Sequence, residues 1–360
     1  MTTSGPDTGS PLLRMSTTTL TTLWNDSSTP AELKAAMSWG AVGATCNPVI
    51  ALATINADLP RWHRRIAELA RERPTATESE IGWAVVTEVS LEAAKLLFPT
   101  FEEHRGHNGR LSMQTDPRLW RDATALVEQA EHFSSLAPNI IVKIAATSAG
   151  LTAIEEATYR GVSINVTVSF SVSQALAAGA AIERGLARRD AIGADTASMG
   201  PVVTIMVGRL DDWLKKVVAR DHLDVDPEVL EWGGVAAFKR SYQLFTKRGL
   251  HARLLAAAYR NQLQWTELVG GDVVLSPPFA WQQKFQGSGH DPVERITIPV
   301  EPRILQSLHN IGEFHRAYDV DGMSPEEFDS FGATRTTLRQ FLAADEQLDQ
   351  MVRDVLLPQP

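Results

Sequence analysis

The sequence predicts an α/β protein built as a (β/α)8 TIM barrel, with a helical insertion after the second strand and a C-terminal helical extension. Eight short apolar segments alternate with segments of helical periodicity, a pattern typical of a parallel sheet. Polar residues stand at the ends of these segments, and barrel active sites collect residues from the carboxyl ends of several strands. This distribution favours the barrel over an open doubly wound sheet, which is the competing architecture.

The predicted strands are bounded by prolines, glycines and short polar runs. They cover residues 21–27, 42–48, 111–115, 139–147, 162–170, 202–207, 252–260 and 272–277. The seventh is alanine-rich, a composition that also suits a helix. Residues 60–108 carry helical patterns and form the predicted insertion. We expect a disordered tail over residues 1–18, a barrel domain over 19–299, and a helical extension over 300–360 that packs on the outside of the barrel.

Composition narrows the class of protein. A chain of 360 residues can bury a large core, and its net charge of -9 without basic runs argues against nucleic acid as a partner. A single cysteine fits a reducing cytosol. No segment is long and apolar enough for a membrane span, and the first residues lack the apolar core of a secretory signal. We therefore expect a cytoplasmic protein without membrane or nucleic-acid partners, and leave a homo-oligomer open.

Motifs for nucleotides and metals are missing from the sequence. It contains no GxGxxG, GxxxxGK[ST] or HExxH pattern, so we expect no cofactor and no metal. Glu102, Glu103, His104 and His107 have metal-like spacing, but the surrounding glycines favour a solvated loop. Cys46 has no histidine near it in sequence, and a packed small hydrophobic residue is the better interpretation.

Lys143 is the main candidate for catalysis. It lies inside the apolar segment 139–147, where burial should lower the pKa of its ammonium group. A lysine that is partly neutral near pH 7 can attack a carbonyl carbon and form a Schiff base. The alternative for an isolated strand is a lysine at the strand end that pairs with a carboxylate or faces solvent.

The ordered motifs around these strands resemble those of the transaldolase family. Stretches of this kind occur at residues 43–48 (GATCNP), 141–151 (IVKIAATSAGL), 161–171 (GVSINVTVSFS), 207–213 (VGRLDDW) and 259–261 (YRN). The similarity covers roughly residues 20 to 285. Each motif is weak alone, but their order and strand placement together are specific. The family fold is a (β/α)8 barrel, in agreement with the strand count.

The resemblance implies roles for particular residues. Lys143 would form an imine with the C2 carbonyl of a ketose, and Asp26 would act as a base on the C4 hydroxyl. Gln114 and Thr167 stand where the family handles proton transfer through a water molecule. The remaining positions would bind the sugar phosphate substrate. They are Asn47, Asn165 and Thr204 for the sugar and its three-carbon enamine, and Arg209 and Arg260 for the phosphate.

Simpler structural roles stay open for single residues. Asp26 could be a turn residue after the first strand, and Asn47 could shape a turn before Pro48. Arg209 and Arg260 could form structural ion pairs. Taken together with Lys143, the set favours function.

The sequence departs from the family pattern at several positions. Gln114 stands where most members have a glutamate, and a glutamine there is similar to the fructose-6-phosphate aldolase branch. Met206 matches neither the phenylalanine of transaldolases nor the tyrosine of that branch. Ala258 and Thr204 each replace a serine. We expect transfer of a dihydroxyacetone unit between sugar phosphates. A lyase that releases dihydroxyacetone and a non-catalytic sugar-phosphate-binding barrel are the alternatives.

Overall fold

The computed structural model describes residues 9–358 and confirms the predicted (β/α)8 barrel. All eight strands are parallel, and β1 pairs with both β2 and β8, which closes the sheet. The strands are β1 (Thr22–Asn25), β2 (Ala41–Thr45), β3 (Arg110–Gln114), β4 (Ile140–Ala145), β5 (Ile164–Thr167), β6 (Val202–Ile205), β7 (Arg253–Ala257) and β8 (Val273–Ser276).

Helices surround this sheet. They are α1 (Pro11–Thr18), α2 (Pro30–Ser38), α3 (Pro48–Asn56), α4 (Leu59–Glu72), α5 (Glu78–Glu103), α6 (Ala123–Leu136), α7 (Ser148–Tyr159), α8 (Val172–Asp190), α9 (Val207–Asp221), α10 (Pro227–Leu230), α11 (Gly233–Arg248), α12 (Leu263–Thr266), α13 (Phe279–Gly287), α14 (Pro302–Leu308), α15 (Gly312–Tyr318) and α16 (Gly332–Leu356). Short 3-10 helices cover Pro117–Leu119 and Pro325–Ser330. Within residues 9–358, none of the helices combines the length and the apolar character that crossing a bilayer requires.

The side chains along each strand alternate between the barrel interior and the surrounding helices, so the apolar residues form two regions. Residues such as Val142 and Ile144 face the helices and belong to the large outer core. A smaller cluster fills the barrel interior, and its buried members are Trp24, Ile141, Val202, Leu255, Ala257 and Val274. Because successive side chains of a strand point to opposite faces, Lys143 faces the same side as Ile141. It therefore lies inside the barrel, nearer the carboxyl end.

All eight strands end before the last residue of the predicted segments, and the ends of β5 and β6 have a local explanation. β5 stops at Thr167 because Val168 adopts a φ of 50°, an unusual conformation for a β-branched residue. β6 stops at Ile205, and the predicted strand residue Val207 instead begins α9. The alanine-rich seventh segment forms a strand, as predicted, although only over Arg253–Ala257.

The predicted insertion after the second strand is present and consists of α3, α4 and α5. Helix α5 begins with a capping box in which Thr77 and Glu80 each accept a backbone hydrogen bond from the other residue. Arg65 of α4 forms an ion pair with Glu88 of α5, with an Nη2–Oε1 distance of 2.8 Å. Glu102, Glu103, His104 and His107 are exposed around the end of α5.

The expected disordered tail is wrong for residues 11–18, which form α1; residues 1–8 lie outside the described part of the chain. Leu12 and Met15 of α1 are fully buried. The Nε1 atom of Trp265 donates to the Met15 sulfur over 3.2 Å. Burial of this apolar face holds the segment in place. Because the residues around it are polar, the sequence did not predict a helix here.

Helix α16 lies within the predicted C-terminal extension 300–360, whose bounds and packing on the outside of the barrel stay a prediction. It contacts α3 and α9, which begin at the carboxyl ends of β2 and β6, together with α4 and α5. Gln174, in the first turn of α8, donates to the hydroxyl of Thr334 over 3.3 Å. Farther along α16, the buried carboxylate of Asp345 lies 3.0 Å from Arg118, which follows β3. The helix therefore crosses the carboxyl-terminal mouth of the barrel.

Candidate active site

Three neighbouring strands present polar side chains to the barrel interior at one level. Gln114 of β3 is in register with Lys143 of β4, which is in register with Asn165 of β5. All three residues are buried. The register brings together three of the predicted site residues and places them above the apolar interior cluster.

Lys143 is 3% exposed and forms no ion pair or side-chain hydrogen bond within residues 9–358. Burial lowers the pKa of its ammonium group, the nearby carboxylate of Asp26 opposes this shift, and the charge of Arg209 adds to it. The environment thus favours the neutral amine, which is the nucleophilic form. The alternative of a strand-end lysine paired to a carboxylate does not describe this side chain.

Asp26 follows β1 and lies at the rim of the same interior. The hydroxyl of Thr45, on the neighbouring strand β2, donates a hydrogen bond to its Oδ1 atom. Burial raises the pKa of the Asp26 carboxyl, and the charge of Lys143 and the Thr45 hydrogen bond oppose that change. A carboxylate that is costly to ionise is suited to accept a proton from a substrate hydroxyl.

Asn165 is the centre of a buried chain of hydrogen bonds. Its Nδ2 atom donates to the hydroxyl of Ser112 over 2.9 Å, and its Oδ1 atom accepts from the hydroxyl of Thr204 over 2.7 Å. Ser112, Asn165 and Thr204 are at most 1% exposed. The amide is held on both sides, and the second N–H of Nδ2 takes part in neither of these two hydrogen bonds.

Asn47, Gln114 and Thr167 keep polar groups that the described protein leaves unused. Asn47 caps α3 by accepting from the backbone of Ile50 over 3.0 Å, and its Nδ2 atom has no partner within residues 9–358. The buried Oε1 atom of Gln114 likewise lacks a partner there. The one hydrogen-bond partner of the Thr167 hydroxyl within residues 9–358 is the sulfur of Met206, at 4.0 Å. These groups are available to water or substrate.

Arg209 and Arg260 are brought together by the approach of α9 to the end of β7. A Cβ atom at Gly208 would lie 2.0 Å from the carbonyl oxygen of Ala258, so only glycine permits this contact. Burial and the neighbouring charge of Arg260 lower the pKa of Arg209 to about 10. Its positive charge lowers the pKa of both the Lys143 ammonium and the Asp26 carboxyl.

The two arginines have different partners. Arg260 forms an ion pair with Asp212, with an Nε–Oδ2 distance of 2.9 Å. Arg209 pairs with no carboxylate in the described chain; its Nη1 atom donates to Gln340 and Thr337 of α16. The possibility of a structural ion pair therefore applies to Arg260 and not to Arg209.

Reasoning from the sequence missed some residues that support the site. Ser112 stands two residues before Gln114 on β3, so strand alternation alone could have placed it inside the barrel. Strand alternation on β2 could have placed Thr45 inside the barrel in the same way. Gln340 carried no sequence signal, because its contact with Arg209 depends on where α16 docks. Cys46 is buried in the outer core, as expected for a small hydrophobic residue.

The fold and the site define the class of the protein, a (β/α)8 barrel with a buried lysine at its carboxyl-terminal mouth. The family model for transaldolase/fructose-6-phosphate aldolase matches residues 23–338, and the chain belongs to this family. The resemblance seen in the sequence is thereby confirmed.

Individual relatives agree with this assignment. A transaldolase of Thiobacillus denitrificans is 34% identical over 225 residues, which cover 61% of each chain. Transaldolase 1 of Streptomyces avermitilis is 33% identical over 277 residues, covering 75% of this chain and 67% of the relative. A transaldolase of Parafrankia sp. is 27% identical over 334 residues, covering 84% and 89%. The matched part thus spans less than two thirds of the Thiobacillus relative.

Proposed function

We propose that the protein transfers a dihydroxyacetone unit from a ketose phosphate to an aldose phosphate through a Schiff base on Lys143. Suitable donors are fructose 6-phosphate and sedoheptulose 7-phosphate. The observation that carries the proposal is the buried amine of Lys143, which has no partner in the described part of the chain and feels the charge of the Asp26 carboxylate. Family membership and the relatives named transaldolase support it.

The first half of the reaction cleaves the donor. The neutral amine of Lys143 adds to the C2 carbonyl, and loss of water together with uptake of one proton from solvent gives a protonated imine; hydrolysis at the end of the cycle returns that proton. Asp26 takes the proton of the C4 hydroxyl, the C3–C4 bond breaks, and its electron pair moves into the imine to form an enamine. The C4 fragment leaves as an aldehyde. The enamine remains attached to Lys143.

The second half reverses these steps with a new aldehyde. The enamine carbon attacks the acceptor carbonyl, whose oxygen takes the proton from Asp26. Water then hydrolyses the imine and releases the longer ketose. Asn47, Asn165 and Thr204 hold the sugar hydroxyls and the enamine. Gln114 and Thr167 place the water.

Phosphate recognition is assigned to the two arginines. The planar guanidinium of Arg209 has no carboxylate partner, and its buried Nε atom lacks a hydrogen-bond acceptor within residues 9–358. Arg260 adds a second positive charge, which Asp212 partly offsets. Guanidinium groups suit the oxygens of a phosphate because they donate two parallel hydrogen bonds.

A lyase activity is the second candidate. Gln114 cannot exchange a proton as a carboxylate does, and its Oε1 atom is buried without a partner in the described chain. If the enamine gains its proton from the held water before an acceptor binds, hydrolysis frees dihydroxyacetone. This outcome corresponds to a fructose-6-phosphate aldolase.

Trapping by borohydride tests the proposal. The protein is incubated with dihydroxyacetone or fructose 6-phosphate, reduced and digested, and we expect a covalent three-carbon adduct on Lys143. The variant Lys143→Arg should form no adduct and show no turnover, since a guanidinium stays protonated. Binding of fructose 6-phosphate without any adduct would instead favour a non-catalytic sugar-phosphate-binding barrel.

The cellular setting belongs to the same proposal. Transfer between sugar phosphates would serve the pentose phosphate pathway in the cytoplasm, with no cofactor or metal. Small-molecule sugar phosphates would be its partners, without nucleic acid or membrane. A homo-oligomer is compatible with this reaction, and sedimentation would measure the oligomeric state.

A further inference from the structure

A cavity of about 380 Å3 lies between α9 and α16, beside the two arginines. Its floor is one face of α9, formed by Arg209, Asp212, Trp213 and Lys216. These residues are spaced by three, four and seven positions, so they line one side of the helix over two turns. The cavity thus begins at the arginines and continues outward along α9.

The charge of this cavity is positive. Arg209, Lys216 and Arg260 line it. Among the described residues the one carboxylate in its lining is Asp212, which is already paired with Arg260. Lys216 is exposed and takes part in no ion pair within residues 9–358. An anion placed anywhere along the cavity would therefore meet uncompensated positive charge.

The opposite wall is supplied by α16 and is uncharged. It consists of Ala333, Thr336, Thr337 and Gln340. Gln340 and Thr337 accept from the Nη1 atom of Arg209, which draws its guanidinium toward the cavity. The hydroxyl of Thr336 and the amide of Gln340 can donate to a phosphate oxygen. Helix α16 therefore closes the cavity without repelling an anion.

The cavity extends beyond the place that one phosphate bound at the two arginines would occupy. Its lining includes Trp213 and Lys216, which lie beyond Arg209 along α9. Lys216 is seven residues beyond Arg209, about 10 Å along the helix axis. Helical side chains lean toward the N-terminus, so the long Lys216 side chain can reach back toward Arg209.

We infer that this cavity is a second phosphate position for substrates longer than seven carbons, with Lys216 as the residue that sets chain length. The inference rests on the proposed function. A six-carbon ketose phosphate places its phosphate at Arg209 and Arg260. Each further carbon lets the phosphate lie farther outward along α9, so an eight-carbon sugar phosphate brings it toward Lys216.

Alditol phosphates test this inference without catalysis. These polyols have no carbonyl and cannot react with Lys143, so their affinity reports binding alone. Calorimetric titration would compare six-, seven- and eight-carbon alditol phosphates for the natural protein and for Lys216→Gln. We expect the substitution to weaken the eight-carbon ligand about tenfold or more, the scale of a hydrogen bond to a charged group. The six-carbon ligand should weaken by less than about threefold on the same scale.

Lys247→Gln is the matched control. Lys247 lies in the last turn of α11, which precedes β7, so it lies at the opposite end of the barrel from the mouth. It is exposed, and its loss removes the same charge. This variant should bind all three ligands like the natural protein, which separates a local contact from a general change in charge.

Two results would overturn the inference. One is an equal effect of Lys216→Gln on all chain lengths, including no effect at all; the other is absence of binding by every alditol phosphate. The trapping experiment with dihydroxyacetone needs no phosphate. An adduct on Lys143 combined with either result would refute the second phosphate position and leave the lysine chemistry standing.

Discussion

The hydroxyl of Thr204 donates a hydrogen bond to Oδ1 of Asn165 over 2.7 Å and fixes the orientation of that amide. Because the oxygen faces Thr204, the Nδ2 atom faces Ser112, to which it donates over 2.9 Å. The chain thus links β6, β5 and β3 inside the barrel. Asn165 can present its remaining N–H to a ligand only while Thr204 satisfies its oxygen.

Removal of the Thr204 hydroxyl should therefore reduce both stability and activity. Thr204→Val conserves the shape of the side chain but leaves Oδ1 of Asn165 buried without a donor. Urea unfolding should show a loss of about 1–3 kcal/mol in the free energy of unfolding. Thr204→Ser keeps the hydroxyl and is the control. Equal stability of the valine and serine variants would contradict the role of this hydrogen bond.

Arg260→Ala should weaken phosphorylated donors selectively. We expect a loss of about 1.5–3 kcal/mol for fructose 6-phosphate, the scale of a hydrogen bond to a charged group. Dihydroxyacetone carries no phosphate and should be affected much less. Steady-state kinetics with both donors measure the difference.

The ion pair of Arg260 with Asp212 supplies a control for this experiment. Arg260→Ala leaves the Asp212 carboxylate unpaired, which would itself repel phosphate. The double variant with Asp212→Asn removes this charge and should recover part of the lost affinity. Equal losses on both donors would show that Arg260 has a structural role.

The sequence was sufficient for the barrel and for the residues at its strand ends. Lys143 and Asn165 could be placed on strands because period-2 alternation and β-branched neighbours are local signals. The position of α16 could not be assigned in this way. Its apolar stripe indicates that one face is buried, but not that the buried face lies over the mouth of the barrel. The contact of Gln340 with Arg209 could not be predicted from the sequence for the same reason.

Asp211 should make stability depend on pH. Its buried carboxylate accepts from the backbone of Gly234 over 2.7 Å and from Gln264 over 2.5 Å. Burial raises its pKa from 3.8 to about 7. The folded protein therefore keeps a proton that the unfolded chain releases above about pH 4, so the free energy of unfolding falls as the pH rises from about 4 to about 7.

The comparison with Asp211→Asn measures this contribution. One pKa unit corresponds to about 1.4 kcal/mol, so the shift amounts to roughly 4 kcal/mol across this range. Burial also raises the pKa of Asp345 to about 7, in the same direction. Because Asp345 is present in both proteins, the difference between them isolates Asp211. Parallel pH profiles for the two proteins would contradict the prediction.

Gln114 should set the balance between transfer and release. Its side chain lies beside Lys143 in the strand register, and its buried Oε1 atom has no partner within residues 9–358. A glutamine there can hold a water molecule but cannot exchange a proton with it. We therefore expect the natural protein to release measurable dihydroxyacetone from fructose 6-phosphate in the absence of an acceptor.

Gln114→Glu should shift the products toward transfer, because it restores a titratable group in the part of the site that contains Thr167. Groups in acid–base catalysis typically contribute about 10²- to 10⁴-fold, so a role in proton transfer should be easy to detect. The measurement is the ratio of free dihydroxyacetone to sedoheptulose 7-phosphate, with erythrose 4-phosphate as the acceptor. Gln114→Met removes the amide and is the control for packing. If the ratio is the same in all three proteins, Gln114 does not set the partition. Met206, whose sulfur lies 4.0 Å from the Thr167 hydroxyl, is then the next residue to replace.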